Sequence, residues 1–216
     1  MKALSQCLLY TFVDTAYLHG RKAHDIAQQL CDGGSDLIQL RAKHVGVDEV
    51  RRLAEVVLPI TRAANVGLVI NDHFSIAQAV GADFCHLGQE DFFERGYSHV
   101  SELDSGDGAL PQIGLSSHAP AQAERAIAAG AAYIAIGPVY ATGTKPSAKP
   151  VTLEYVRWAA GRVPIPWFAI GGISLRNLDD VLQAGAKRIC VVSAILDSED
   201  IAGTCHTFKD RLLSAR

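Results

Sequence analysis

Four short segments of one design divide the chain: Cys31-Asp32-Gly33-Gly34-Ser35-Asp36, Val80-Gly81-Ala82-Asp83, Ala129-Gly130-Ala131-Ala132 and Ala184-Gly185-Ala186-Lys187. Each closes a helical pattern just before a short apolar run, and glycine there supplies the left-handed residue that ends a helix. The copies fall about two strand-helix units apart, which a barrel of eight such units would show and an open doubly wound sheet need not. Strand candidates follow this rhythm at 8–13, 37–41, 67–71, 84–88, 112–116, 133–139, 167–171 and 188–193. Helical periodicity occupies 47–64, 120–129, 152–160 and 175–183, with Ser117 and Ser174 expected as N-caps. The polar segment 90–111, broken by Gly96, Gly106, Gly108 and Pro111, predicts a loop with at most a short helix. The expectation is a single (β/α)8 barrel domain over residues 1–216, at the compact end of that fold.

Composition narrows the partners. With 49% apolar residues in a chain of 216, one well-buried core is the default. The 20 basic residues are scattered against 23 acidic ones, so neither nucleic acid nor a membrane surface finds an electrostatic footprint. Five cysteines stand far apart with no C-x-x-C pair, and neither a signal peptide nor a bilayer-length apolar run is evident. A cytoplasmic protein acting on small molecules is expected. A homo-oligomer is compatible with the sequence, but nothing specifies one. Cys85 and Cys190 lie within strand candidates and read as small core residues.

In a barrel of this kind chemistry sits at the carboxyl ends of the strands. The run Ile134-Ala135-Ile136-Gly137-Pro138-Val139-Tyr140-Ala141-Thr142-Gly143-Thr144-Lys145 leads from a buried strand into two hydroxyls and an ammonium, groups that hold phosphate. Phe168-Ala169-Ile170-Gly171-Gly172-Ile173 and Ile189-Cys190-Val191-Val192-Ser193-Ala194-Ile195 repeat the design and offer further backbone to an anion. The second strand ends in Gln39-Leu40-Arg41-Ala42-Lys43, where alternation aims Gln39, Arg41 and Lys43 to one side. Others end in Asn71-Asp72, Gly88-Gln89-Glu90-Asp91 and Ser116-Ser117-His118. Two carboxylates, Asp72 and Asp91, thus meet Arg41, Lys43 and Lys145. Magnesium is commonly held by one or two carboxylates together with substrate phosphates, and the cations suit the outer oxygens of a diphosphate.

These motifs, in order, resemble the thiamine phosphate synthase family and its relative, the thiazole tautomerases. The resemblance runs from Leu9-Tyr10 to Ser193-Ala194-Ile195 and is carried by Gln39 to Lys43, Ile70-Asn71-Asp72, His86 to Asp91, Gly114 to His118, Gly137 to Tyr140 with Thr142 to Lys145, Ile170 to Ile173 and Val192 to Ile195. It implies joining of 4-amino-2-methyl-5-(diphosphooxymethyl)pyrimidine to 4-methyl-5-(2-phosphooxyethyl)thiazole, or its carboxylated form, with release of diphosphate. It implies Mg2+ on Asp72 and Asp91 and no organic cofactor. Gln39, Arg41, Lys43, Asn71, Ser116 and Lys145 would hold the pyrimidine diphosphate, with Arg41, Lys43, Ser116 and Lys145 the catalytic set. Thr142, Thr144, Gly172, Val192 and Ser193 would hold the thiazole phosphate. Leu40, Ala42 and Gly143 fall within the same substrate-binding segments. Departures from the family pattern are His73, Phe84-Cys85, Ser117 and a more polar first strand, Tyr10-Thr11-Phe12-Val13-Asp14.

Taken singly, each residue has a plainer reading. Asp72 can cap the following helix, Asp91 and the three cations can be solvated surface charges, and Ser193 can be a buried hydroxyl bonded to backbone. Gln39 and Asn71 can satisfy backbone groups, Ser116 can cap a helix, and Gly171-Gly172 can serve a tight turn. His118 is open between a hydrogen bond to the next strand and the proton-transfer role it would have in a tautomerase. His86, His44 and His73 read as structural. A tautomerase or a non-catalytic phosphate-binding regulatory barrel are the alternatives to the synthase. If Lys145 is to meet diphosphate, residues 142–150 are expected to fold over the mouth.

Overall fold

A computed structural model describes residues 2–103, 109–143 and 149–215. Eight parallel strands close into a ring in sequence order: β1 (Leu9–Asp14), β2 (Leu37–Arg41), β3 (Gly67–Asn71), β4 (Phe84–Leu87), β5 (Gln112–Ser117), β6 (Tyr133–Ile136), β7 (Trp167–Ala169) and β8 (Ile189–Cys190). The surrounding helices are α1 (Ala23–Asp32), α2 (Val47–Ala63), α3 (Phe74–Val80), α4 (Gln89–Phe92), α5 (Pro120–Ala128), α6 (Thr152–Arg162), α7 (Leu178–Gln183), α8 (Ser193–Leu196) and α9 (Ile201–Ser214). The (β/α)8 barrel expected from the glycine repeat is therefore present. Gly34, Gly81, Gly130 and Gly185 all take positive φ, and they precede the even-numbered strands β2, β4, β6 and β8. None of the helices among the described residues is long and apolar enough to cross a membrane.

Three strands are shorter than their apolar runs. β6, β7 and β8 stop at Ile136, Ala169 and Cys190. Pairing continues past these ends through isolated bonds, Val139 N–H to Ile170 O at 2.8 Å and Tyr140 N–H to Gly171 O at 3.0 Å. The regular ladder is lost where Gly171 and Gly172 take φ of 103° and 63°. The two expected serine caps are corrected. Ser117 remains in β5, where its Oγ donates to Ala135 O at 3.0 Å and accepts from Tyr155 Oη at 2.9 Å, and α5 starts after Ala119 without a side-chain cap. At α7 the helix begins only at Leu178 and has no side-chain cap; Ser174 lies before it, its N–H donating to Asn177 Oδ1 at 2.8 Å. In the segment 90–111, α4 and a single 3-10 turn (Val100–Leu103) are formed, and residues 104–108 lie outside the described residues.

The lumen is filled by aromatics. Tyr10, Tyr133 and Phe168 meet edge to face with centroids 5.4 to 6.0 Å apart, and Phe84 packs on Tyr133 at 5.9 Å. Each such pair contributes about 0.5–1.5 kcal/mol beyond its buried area. Room for Tyr133 is made on the neighbouring strand, since a Cβ on Gly114 would overlap the phenol ring. This floor closes the lumen across β1, β4, β6 and β7.

Below the floor, the fully buried Asp36 carboxylate fastens the base. It accepts from Leu8 N–H at 2.7 Å, Leu9 N–H at 3.1 Å and Lys2 Nζ at 2.8 Å, and it is paired with Lys209 Nζ of α9. Burial alone raises a carboxyl pKa, but the two ammoniums and two amides outweigh it and hold Asp36 below the ordinary value of 3.8. Its stabilisation is present above the unfolded-state value and is lost as pH falls through the lower folded-state value. Asp36→Asn should cost about 3 kcal/mol in urea unfolding at pH 7. That difference should shrink as the pH is taken below 4, and a cost independent of pH down to acid unfolding would refute the electrostatic role.

Candidate active site

Alternation along the strands sends Tyr10 and Phe12 of β1, Gln39 and Arg41 of β2, Asn71 of β3, His86 of β4 and Ser116 of β5 into one cavity of about 320 Å³ at the carboxyl ends. Lys43, Asp72, Asp91, His118, Thr142, Gly172, Val192 and Ser193 line it from the loops above. Leu40 and Ala42 take the opposite face and are buried outside the cavity, so their side chains do not line it. Gly143 is exposed and lies off the lining. Thr144 and Lys145 lie outside the described residues, as does most of the expected covering segment 142–150.

The acidic wall begins at Asp72. Its backbone φ is 63°, a conformation that Asp tolerates better than most residues, and its N–H donates to His86 O at 2.9 Å. Asn71 Nδ2 donates to Asp72 Oδ2 at 2.5 Å, and Lys43 Nζ stands 3.2 Å from the same oxygen. Asp91, in the first turn of α4, faces Asp72 in hydrogen-bond contact. Burial and the Asp72 charge raise the Asp91 carboxyl above its ordinary value, against weaker opposition from Arg95 and Lys43. Two carboxylates in contact are a poor arrangement for the protein alone and a good one for a divalent cation with oxygen ligands. The described residues contain no cluster of three or more His, Cys, Asp or Glu able to hold a metal, so this pair would leave most of an octahedral shell to water or ligand oxygens.

Beside this wall, at the end of the neighbouring strand β2, stands Arg41. Its Nη1 donates at 2.7 Å to Asp14, whose carboxylate is 1% exposed and also caps Ala16 N–H at 3.0 Å. Asp14 spans the last register position of β1 against Arg41 on β2, so it holds the guanidinium at the rim with other N–H groups to offer. Asp14 is a residue the sequence reading misses. Its parity with Tyr10 and Phe12 in the polar first strand is the signal that sends it into the lumen.

The floor is polar where it meets the cavity. Gln39 Nε2 donates to Tyr10 Oη at 2.6 Å, the Tyr10 and Tyr133 hydroxyls are 3.1 Å apart, and His86 bridges from Tyr133 Oη (3.2 Å) to Ser116 Oγ (2.9 Å). Gln89 Nε2 donates to Ser116 O at 2.5 Å and ties the loop after β4 to β5. His86 therefore belongs to the cavity floor, where the sequence reading gives it only a structural place. On the remaining side Gly172 lets two loops touch: a Cβ there would lie 2.6 Å from Ala141 O and 2.8 Å from Tyr140 Cβ. Val192 and Ser193 open α8, whose first amides have no intrahelical acceptor. His118 Nδ1 is bonded to the Gly137 carbonyl, and its own N–H donates to Gln122 Oε1 at 2.7 Å. Cys85 and Cys190 are buried with their thiols pushed well up by desolvation, so neither is a nucleophile.

Comparison with known proteins gives a consistent result. The family described as thiamine monophosphate synthase matches residues 9–195. The thiamine-phosphate synthase of Halalkalibacterium halodurans is 38% identical over 201 residues, covering 93% of this chain and 92% of that one. The thiamine-phosphate synthase of Thermus thermophilus is 41% identical over 189 residues, covering 87% and 88%. Among solved structures, thiamine phosphate pyrophosphorylase from Pyrococcus furiosus superposes with a TM-score of 0.86 at 27% identity, over 98% of each chain.

The raised Asp91 carboxyl makes a prediction about pH. A carboxyl whose folded-state pKa exceeds its unfolded value binds more protons when folded, so stability falls as pH rises from about 4 through the folded-state value. Without divalent cations, Asp91→Asn should unfold a few degrees higher than the parent at pH 7 and no higher at pH 4. Millimolar magnesium should raise the parent's midpoint and leave that of Asp91→Asn nearly unmoved. A variant that is destabilised at pH 7 in the absence of metal would show that the two carboxylates do not repel.

Proposed function

The chain belongs to the thiamine monophosphate synthase family, and we propose that the whole barrel acts as a thiamine-phosphate synthase on the two phosphorylated heterocycles named above. The observation that carries this reading is the meeting of Asp72 and Asp91 with Lys43 and Arg41 at one rim of a cavity whose far rim is Gly172, Val192 and Ser193. Anion-binding groups thus stand on two sides of a space lined between them by Tyr10, Phe12 and Ile170. A diphosphate on one ring and a monophosphate on the other suit that spacing. Backbone after the seventh and eighth strands is the usual monophosphate position of this fold.

Asp72 and Asp91 would hold Mg2+, which when bound supplies positive charge to the departing diphosphate. Arg41, fixed by Asp14, and Lys43 and Lys145 would take up charge on the outer diphosphate oxygens, Arg41 through its planar fork. Gln39, Asn71 and Ser116 would orient the pyrimidine diphosphate, and Thr142, Thr144, Gly172, Val192 and Ser193 would seat the thiazole phosphate. The carbon-oxygen bond breaks with its electron pair leaving on diphosphate, the 4-amino group feeds the resulting methylene cation, and the thiazole nitrogen lone pair closes the new bond. No protein base is required. This leaves His118 on the rim with its Nδ1 engaged by Gly137 O, a position that asks nothing of it in the condensation.

Supplying both heterocycles with magnesium and following diphosphate release tests the proposal, and formation of thiamine phosphate is expected. Asp72→Asn keeps a residue that accepts positive φ and should lower kcat/KM for the pyrimidine substrate at least a hundredfold at limiting magnesium. His118→Ala should stay within about threefold of the parent. Isomerisation of a thiazole carboxylate without diphosphate release, abolished by His118→Ala, would instead assign the chain to tautomer chemistry.

A further inference from the structure

Across the floor of the cavity runs a hydrogen-bond chain whose direction can be deduced. Gln39 Nε2 can only donate, and it does so to Tyr10 Oη at 2.6 Å. A phenol has one hydrogen, and Tyr133 Oη at 3.1 Å is the acceptor that remains for that of Tyr10 among the described residues. Tyr133 in turn must direct its hydrogen to His86 Nδ1 at 3.2 Å. Both tyrosines are essentially inaccessible to solvent, and burial raises both phenols well above their ordinary pKa, so both keep their hydrogens. With Nδ1 accepting, the ring proton of neutral His86 is on Nε2, 2.9 Å from Ser116 Oγ.

We infer that Tyr10, Tyr133 and His86 are positioning residues which fix His86 as the Nε2–H tautomer and thereby turn the Ser116 hydroxyl hydrogen into the cavity. Ser116 Oγ accepts from His86 at its back, and its single hydrogen is directed to the ligand side as a donor. This inference rests on the reading above only where it names that ligand, an oxygen or ring nitrogen of the pyrimidine diphosphate. It also explains why two tyrosines occupy a layer that phenylalanines would fill as well: Phe168 packs among them with no hydroxyl. The chain is rigid by construction. Tyr133 is stacked on His86 with ring planes 27° apart, and Gly114 leaves the Tyr133 ring no alternative place.

The opposite orientation of the Gln39 amide would reverse every link and leave His86 as Nδ1–H, so the ring tautomer reports the direction of the whole chain. Nitrogen NMR of the full chain labelled in its histidines, with the His86 signals assigned through His86→Gln, decides it without any activity measurement. A protonated Nε2 and a bare Nδ1 at neutral pH are expected. A protonated Nδ1 overturns the inference. In kinetics, Tyr133→Phe should raise KM for the pyrimidine diphosphate about tenfold while leaving KM for the thiazole phosphate unchanged. His86→Gln, which keeps an amide donor near the Nε2 position, should recover most of what His86→Ala loses. In a Ser116→Ala background Tyr133→Phe should have no further effect, and an undiminished effect there marks Tyr133 as merely structural. If the parent protein turns over neither heterocycle, the functional reading fails while the NMR result still decides the direction of the chain.

Discussion

The eight-strand ring closes at a narrow seam, where the two residues of β8 meet β1 in the pairs Leu9–Ile189 and Tyr10–Cys190. Two further bonds extend the seam, Ile189 N–H to Leu8 O at 2.9 Å and Val191 N–H to Tyr10 O at 3.0 Å. Everything at the mouth depends on it. Arg41 and Ser193 share one cavity only because the last strand returns to the first, and Tyr10 reaches Tyr133 only across a closed lumen. The seam is short, and its reinforcement is placed below it: Asp36 takes the amides of Leu8 and Leu9 and binds Lys209 of α9, so the start of β1 and the C-terminal helix are fastened to the same buried charge.

The division of labour between floor and rim follows from side-chain alternation. A strand that places Gln39 and Arg41 inward must place Leu40 outward, and the same parity carries Tyr10, Phe12 and Asp14 inward on β1. On β1, β4, β6 and β7 the lower inward positions are aromatic and close the lumen, while on β2, β3 and β5 the upper ones are polar and face the cavity. Asp14 and His86 occupy the boundary between these layers. Each has one side committed to protein partners and holds a rim residue with them, Arg41 in one case and Ser116 in the other.

Much of this was legible in the sequence because the signals were local. Glycine before each even strand and apolar runs of strand length give the ring, and two expected strands, 37–41 and 67–71, match their observed bounds. Strand-end polar residues gave the rim for the same reason, since parity and fold together dictate where they point. What escaped was set by contacts between distant segments. Ser117 was expected to cap a helix but is claimed by Ala135 and Tyr155, and Ser174 lost its cap position to Asn177. The place of His86 depends on Tyr133 and Ser116, residues of two other strands, and no spacing rule in one chain reveals such a partnership. β8 was overestimated because Val191 and Val192 continue the apolar pattern although the ladder has ended.

The shared volume of Gly114 and Tyr133 ties two neighbouring strands into one unit of inheritance. Any side chain gained at position 114 evicts the phenol ring from the lumen, and any smaller residue at 133 opens a void that only a larger residue at 114 can fill. The two sites can drift only as a pair. A library that randomises either one alone would sample mostly collapsed or hollow barrels, whereas one that varies both together explores floors of different depth.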